Sequence, residues 1–106
     1  MIYISGRITG NKNWKFDFRL AENQLIEKGY LREHIINPLK LESKMTLAKT
    51  WSNYMRNDIR QLVKCDEIYM LKGWRRSKGA RLERKIAKGL GMKVIYQKQE
   101  SIFERR

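Results

Sequence analysis

Four short β-rich runs alternate with three stretches of helical periodicity, and that alternation constrains the fold more than any other feature of the 106 residues. The runs are Ile2-Tyr3-Ile4, His34-Ile35-Ile36, Glu67-Ile68-Tyr69-Met70-Leu71 and Lys93-Val94-Ile95-Tyr96. After the first run, Trp14, Phe18, Ala21 and Leu25 recur at helical spacing, which predicts a helix over about Asn13–Lys28 with one apolar face. Gly29 is placed to end it. Further helices are expected over about Trp51–Lys64 and Gly79–Gly89. Asn37-Pro38 stops the second strand. Leu39–Thr50 reads as a loop with a helical turn, Gly73–Lys78 as a polar loop, and Gln97–Arg106 as a frayed tail or a short packing helix. Strands separated by helices pair in parallel through right-handed crossovers. One α/β domain over residues 1–106 is therefore expected: a four-strand parallel sheet with helices on both faces, a small flavodoxin-like or Rossmann-like three-layer sandwich. Such sheets bind ligands beyond the carboxyl ends of their strands, near the switch in strand order. The loops there are Ser5–Gly10, Asn37-Pro38 and Gly73–Gly79.

Composition removes several function classes. The longest apolar runs are a few residues, too short to span a membrane. The N-terminus lacks the charged and apolar stretches of a signal peptide, so a cytoplasmic domain is expected. Cys65 and His34 are the only residues of their kinds, which excludes an internal disulfide and a Cys/His four-ligand zinc site within one chain. No metal and no cofactor is expected. No G-x-G-x-x-G follows the first strand and no Walker sequence is present, which weakens dinucleotide and P-loop readings. The net charge of +13 attracts anions, and its densest cluster is Lys72, Arg75, Arg76, Lys78, Arg81, Arg84, Lys85 and Lys88.

Two carboxylates stand where apolar residues are expected. On the second helix Trp51, Tyr54, Met55, Ile59 and Leu62 share an arc, and Asp58 falls near its middle. On the third, Leu82, Ile86, Ala87 and Leu90 form the arc, and Glu83 falls inside it. A carboxylate on a buried face is costly unless paired or hydrogen-bonded. Either one alone reads as a structural ion pair or a wet edge; two on adjacent helices of one small domain point to a site. Ser77, Gly79 and the free N–H groups opening the third helix make an anion site, and Ser5, Gly6 and Arg7 face the same crevice.

Ile2 through Gly10 resembles the opening of a small domain family of unknown function common in phages and prophages. The resemblance continues through Asn37-Pro38, Trp51–Ile59, Cys65–Tyr69, Gly73-Trp74, Ser77–Glu83 and Gly91–Tyr96, nearly the whole chain. That family in turn is similar to the nucleoside 2-deoxyribosyltransferases and the 2′-deoxynucleoside 5′-phosphate N-hydrolases. The resemblance implies that Glu83 is the nucleophile, that Asp58 assists departure of the base and that Tyr3 orients Glu83. It also implies that Ser77, with Ser5, Gly6 and Arg7, contacts a 5′-phosphate. The phage family usually has Pro where this chain has Arg7, an exchange that either strengthens phosphate binding or fills the pocket.

The implied activity is N-glycosidase or (deoxy)ribosyltransferase chemistry on a nucleotide or nucleoside, and the positive charge favours the phosphorylated substrate. Trp74 is a candidate cover for the base or sugar, or a packing residue on the third helix. Trp14 and Trp51 read as core or subunit contacts, and Cys65 as packing. A 106-residue α/β domain leaves apolar surface uncovered, and the similar enzymes are homo-oligomers, so a homodimer or larger closed assembly is expected. Two other readings remain. One is a non-catalytic nucleotide-binding protein, a phage accessory or anti-defence factor. The other, less favoured because no reader motif supports it, is a nucleic-acid-binding protein.

Overall fold

The structure, a computed structural model, describes residues 1–42 and 50–98. Its strands are β1 (Ile2–Ser5), β2 (Ile35–Ile36), β3 (Glu67–Met70) and β4 (Lys93–Tyr96). Its helices are α1 (Trp14–Glu27), α2 (Pro38–Glu42), α3 (Trp51–Leu62) and α4 (Lys78–Gly89), with single 3₁₀ turns at Arg32–His34 and Trp74–Arg76. All strand pairs are parallel, in the order β2-β1-β3-β4. The chain moves outward from β1 to β2, then crosses back to β3 on the other side. The order therefore reverses at the β1–β3 pair, and a crevice opens beyond Ser5 and Met70.

Strand alternation assigns β1 to two cores. Ile2 and Ile4 point to α1 and pack with Phe18, Ala21, Leu25, Ile35, Tyr69 and Leu71. Tyr3 points to the opposite face, among Leu62, Cys65, Ile68, Met70, Ala80 and Ala87. Helices thus cover both faces of the sheet, the three-layer arrangement expected from the element order. Cys65 is buried, and burial pushes its thiol up to about 11.

The elements follow local chemistry. Thr50 caps α3, its hydroxyl accepting from the Asn53 N–H, and Ser77 caps α4, accepting from the Ala80 N–H. Asn37 stops β2 through its side chain: Nδ2 donates to the Phe18 carbonyl and to Glu22, while Oδ1 accepts from the Leu39 N–H. The helical turn anticipated after Pro38 is α2. Residues 43–49 of that segment, and 99–106 of the anticipated tail, lie outside the described residues.

Several boundaries and burials differ from the sequence reading. His34 belongs to an exposed 3₁₀ turn rather than to a strand. The polar loop before the third helix contains the 3₁₀ turn Trp74–Arg76. Leu90, expected on the apolar arc, is the C-cap of α4 and is 58% exposed, because the chain turns at Gly91 before its side chain reaches the sheet.

Gly6 fixes the crevice floor. A Cβ there would stand 2.9 Å from Leu71 Cδ1 and 3.0 Å from Leu71 Cβ, and Leu71 is buried. Gly6→Ala is expected to destabilise the fold by about 1–3 kcal/mol, read as a lower urea midpoint at unchanged m-value.

Candidate functional site

Beyond the carboxyl ends of β1 and β3 lies a cavity of about 610 Å³. Its walls come from the loop after β1 (Gly6, Arg7, Ile8, Thr9), from Trp14 and Pro38, from α3 and from the start of α4. Gly79 brings the last two together: a Cβ there would lie 3.0 Å from the sulfur of Met55 on α3.

Glu83 reaches the cavity from the first turns of α4 and is 4% exposed. Both its oxygens are held from β1. The Tyr3 hydroxyl donates to Oε2 at 2.8 Å, and the Ser5 hydroxyl donates to Oε1 at 2.6 Å. Tyr3 and Ser5 are two residues apart on a strand and so share the face that meets α4. This explains why a carboxylate is tolerated there: two short hydrogen bonds replace part of its hydration. Burial still dominates. It raises the Glu83 carboxyl to about 8, assisted by the negative charge of Asp58 and opposed by the bonds from Ser5 and Tyr3. Asp58, half-buried on α3, faces the same cavity, and desolvation raises its carboxyl to about 6. Burial and the neighbouring carboxylates likewise raise Tyr3 well above the ordinary phenol range, so it remains a donor.

The rim has the opposite sign. Arg7, Arg76 and Lys78 line the cavity beside Ser77 and Gly79 at the amino end of α4. The first N–H groups of a helix have no intrahelical partner and carry partial positive charge. The Lys78 ammonium sits 4.1 Å from the centre of the Trp51 ring. An anionic group is therefore favoured at the rim, while an uncharged or cationic centre is favoured against the carboxylates.

Of the site residues selected from sequence, Gly6, Arg7, Asp58, Ser77, Gly79 and Glu83 line this one cavity, and Tyr3 and Ser5 support Glu83 from below. Ser5 is expected from sequence to meet ligand; its hydroxyl is engaged by the carboxylate instead. The Ser77 hydroxyl caps α4 while facing the cavity. Trp74 is not brought to it. The 3₁₀ turn packs its half-buried ring against the core between α4 and β4, with Arg84, Arg75 and Tyr96 at 4.7, 5.1 and 6.0 Å. Trp51 and Tyr54, which periodicity places in the core, are 37% and 39% exposed and line the cavity, because the crevice uncovers that end of α3. Trp14 serves both purposes, packing edge-on against Phe18 at 5.7 Å and lining the cavity. The position of Trp51 and Tyr54 beside Asp58 on one arc is the available signal in the sequence. Arg76 and Lys78 stand out there only as members of a charge cluster. No group of three metal-ligating side chains occurs among the described residues, and no helix among them is long and apolar enough to cross a membrane.

If the two β1 hydroxyls stabilise the ionised form of Glu83, Tyr3→Phe and Ser5→Ala should each raise its titration midpoint further above 8. ¹³C-carboxyl NMR of the free protein reads this directly; an unchanged or lowered midpoint contradicts it.

Fold and site together define a small Rossmann-like α/β domain with a carboxylate pair at the switch point of its sheet and a cationic rim. Residues 1–96 match the family described as a domain of unknown function (DUF4406), and the chain belongs to that family. No curated protein and no solved structure matches the chain.

Proposed function

We propose that this domain breaks the N-glycosidic bond of a nucleoside 5′-phosphate, with Glu83 as nucleophile. The observation that carries this reading is Glu83 itself: a buried carboxylate, fixed through both oxygens and facing a cavity that a second carboxylate shares. The resemblance to nucleoside 2-deoxyribosyltransferases and 2′-deoxynucleoside 5′-phosphate N-hydrolases assigns the same residues to the same roles. The resemblance to the small domain family common in phages and prophages suggests such a setting.

The chemistry follows the two-carboxylate logic of retaining glycosidases. An ionised Glu83 oxygen attacks C1′ as the C1′–N bond breaks. The electron pair leaves with the base, and Asp58 in its acid form supplies the proton to it. A glycosyl ester on Glu83 results. Water then attacks C1′, ionised Asp58 takes a proton from it, and the Glu83 carboxylate departs. A second base in place of water gives transfer instead of hydrolysis. Tyr3 and Ser5 hold the attacking carboxylate in one orientation, which lowers the entropic cost of attack. Arg7, Lys78 and the amino end of α4 provide the charge that favours a 5′-phosphate.

The test is chromatography of nucleosides and their 5′-phosphates after incubation with the protein. Free base is expected from the phosphates and much less from the nucleosides. No base from any member of the panel, with the protein folded, contradicts the proposal.

A further inference from the structure

A second charged surface lies outside the cavity. Between Lys72 and Lys93 the chain carries nine cationic side chains and one acid, and that acid, Glu83, is buried facing the cavity. On α4 the residues Lys78, Arg81, Lys85 and Lys88 are all exposed. Their spacing places them within an arc of about 80°, a stripe about 15 Å long. Like charges three and four residues apart destabilise a helix. Among the described residues no ion pair reaches any of the nine. Among the described residues the stripe is thus an uncompensated local cost.

Neighbouring arginines are held in place without being neutralised. The Arg84 guanidinium lies 4.7 Å from the Trp74 ring centre and donates through Nε to the Tyr96 hydroxyl at 2.8 Å. Arg75 lies against the same ring at 5.1 Å, and its carbonyl accepts from Arg81 Nη1 at 2.7 Å. Aromatic and backbone partners orient these groups and leave N–H donors for phosphate oxygens. The stripe ends at Lys78 on the cavity rim, where the exposed Tyr54 ring and the face of Trp51 that Lys78 does not cover offer stacking faces.

We propose that the exposed face of α4 binds the backbone of a single-stranded nucleic acid, which runs along Arg81, Lys85 and Lys88 toward the cavity mouth. A cationic track beside exposed aromatic rings is the arrangement that holds unpaired strands without reading sequence. A bilayer is a poorer fit. The buried side of α4 is packed on the sheet through Ala80 and Ala87, and the stripe it exposes is cationic rather than apolar. The inference is independent of the glycosidic chemistry.

The experiment is fluorescence anisotropy with a labelled oligothymidylate of roughly 12 nucleotides, titrated at several salt concentrations. The triple variant Arg81→Ala, Lys85→Ala, Lys88→Ala replaces no cavity-lining residue, and the relief of like-charge repulsion offsets the loss of the exposed Arg81–Arg75 hydrogen bond, so it should fold. Affinity is expected to fall at least about tenfold, and the salt slope to decrease by about 2, because three cations that meet phosphates are removed. Equal binding by wild type and variant overturns the proposal. So does a preference for phosphatidylserine vesicles over the oligonucleotide. Base release from mononucleotides should be unchanged in the triple variant, and Glu83→Gln should keep its affinity for the oligonucleotide. The two proposals can therefore fail separately.

Discussion

Glu83→Gln is expected to abolish base release, by roughly 10⁴-fold or more, while binding of the nucleotide is retained. The amide has nearly the shape of the carboxyl group and occupies the same place beside the Tyr3 and Ser5 hydroxyls, but it is not a competent nucleophile toward C1′. If nucleotide affinity persists and turnover does not, the site binds and Glu83 performs the bond-breaking step. A variant with turnover within tenfold of wild type excludes Glu83 as nucleophile. Loss of binding together with turnover would instead make Glu83 a ligand-holding group. Asp58→Asn should cost less, about 10²–10³-fold, because it removes general acid–base assistance while the nucleophile remains.

The same pair sets the pH dependence. With carboxyls at about 8 and about 6, Glu83 and Asp58 hold one proton between them over that interval. The reactive arrangement has that proton on Asp58 and the charge on Glu83. It is the minor tautomer in the free site, because burial holds the proton more firmly on Glu83 than on Asp58. Positive charge developing at C1′ favours it at the moment of reaction. Activity should therefore be bell-shaped, with limbs near pH 6 and pH 8.

The parts of this site that sequence makes legible are those set by periodicity. The order of runs specifies the sheet, and β1 shows its two faces through the alternation of Ile2 and Ile4 with Tyr3 and Ser5. Helix phase places Asp58 and Glu83 on buried arcs. Phase alone does not reveal how much of an arc is covered. Trp51 and Tyr54 occupy the same stripe as Met55 and Leu62, yet the crevice uncovers them. The direction of Trp74 depends on a 3₁₀ turn introduced by Gly73 at φ 82°, a local event without a periodic signature. The bond from Ser5 to Glu83 spans 78 positions and follows from the parallel register of β1 and β3, which places the end of β1 under the start of α4.

Wild-type stability is expected to fall as pH rises from about 5 to about 8, and Glu83→Gln to remove most of that fall. In the unfolded chain the Glu83 carboxyl has its ordinary value of 4.5, whereas burial in the folded protein raises it to about 8. Below 4.5 the proton is bound in both states and the shift costs nothing. Between the two values the folded state keeps a proton that the unfolded chain has released, so each pH unit favours unfolding by up to about 1.4 kcal/mol. Across the whole interval the cost is of order 5 kcal/mol, comparable with the net stability of a small domain. Glutamine carries no titrating proton, and its pH curve lacks this slope. Its amide fits the two donor hydroxyls imperfectly, which offsets part of the gain by about 1–3 kcal/mol. The variant should thus be similar to or less stable than wild type near pH 5, and clearly more stable near pH 8. Urea unfolding at the two pH values reads the difference, and titrating groups remote from Glu83 cancel in the comparison. Parallel curves would mean that Glu83 is ionised at little cost in the folded protein, through a solvation that its burial does not suggest. A slope confined to the wild type would show a fold that keeps an unfavourably buried carboxyl at its switch point, a cost that a merely structural residue at that position would not justify.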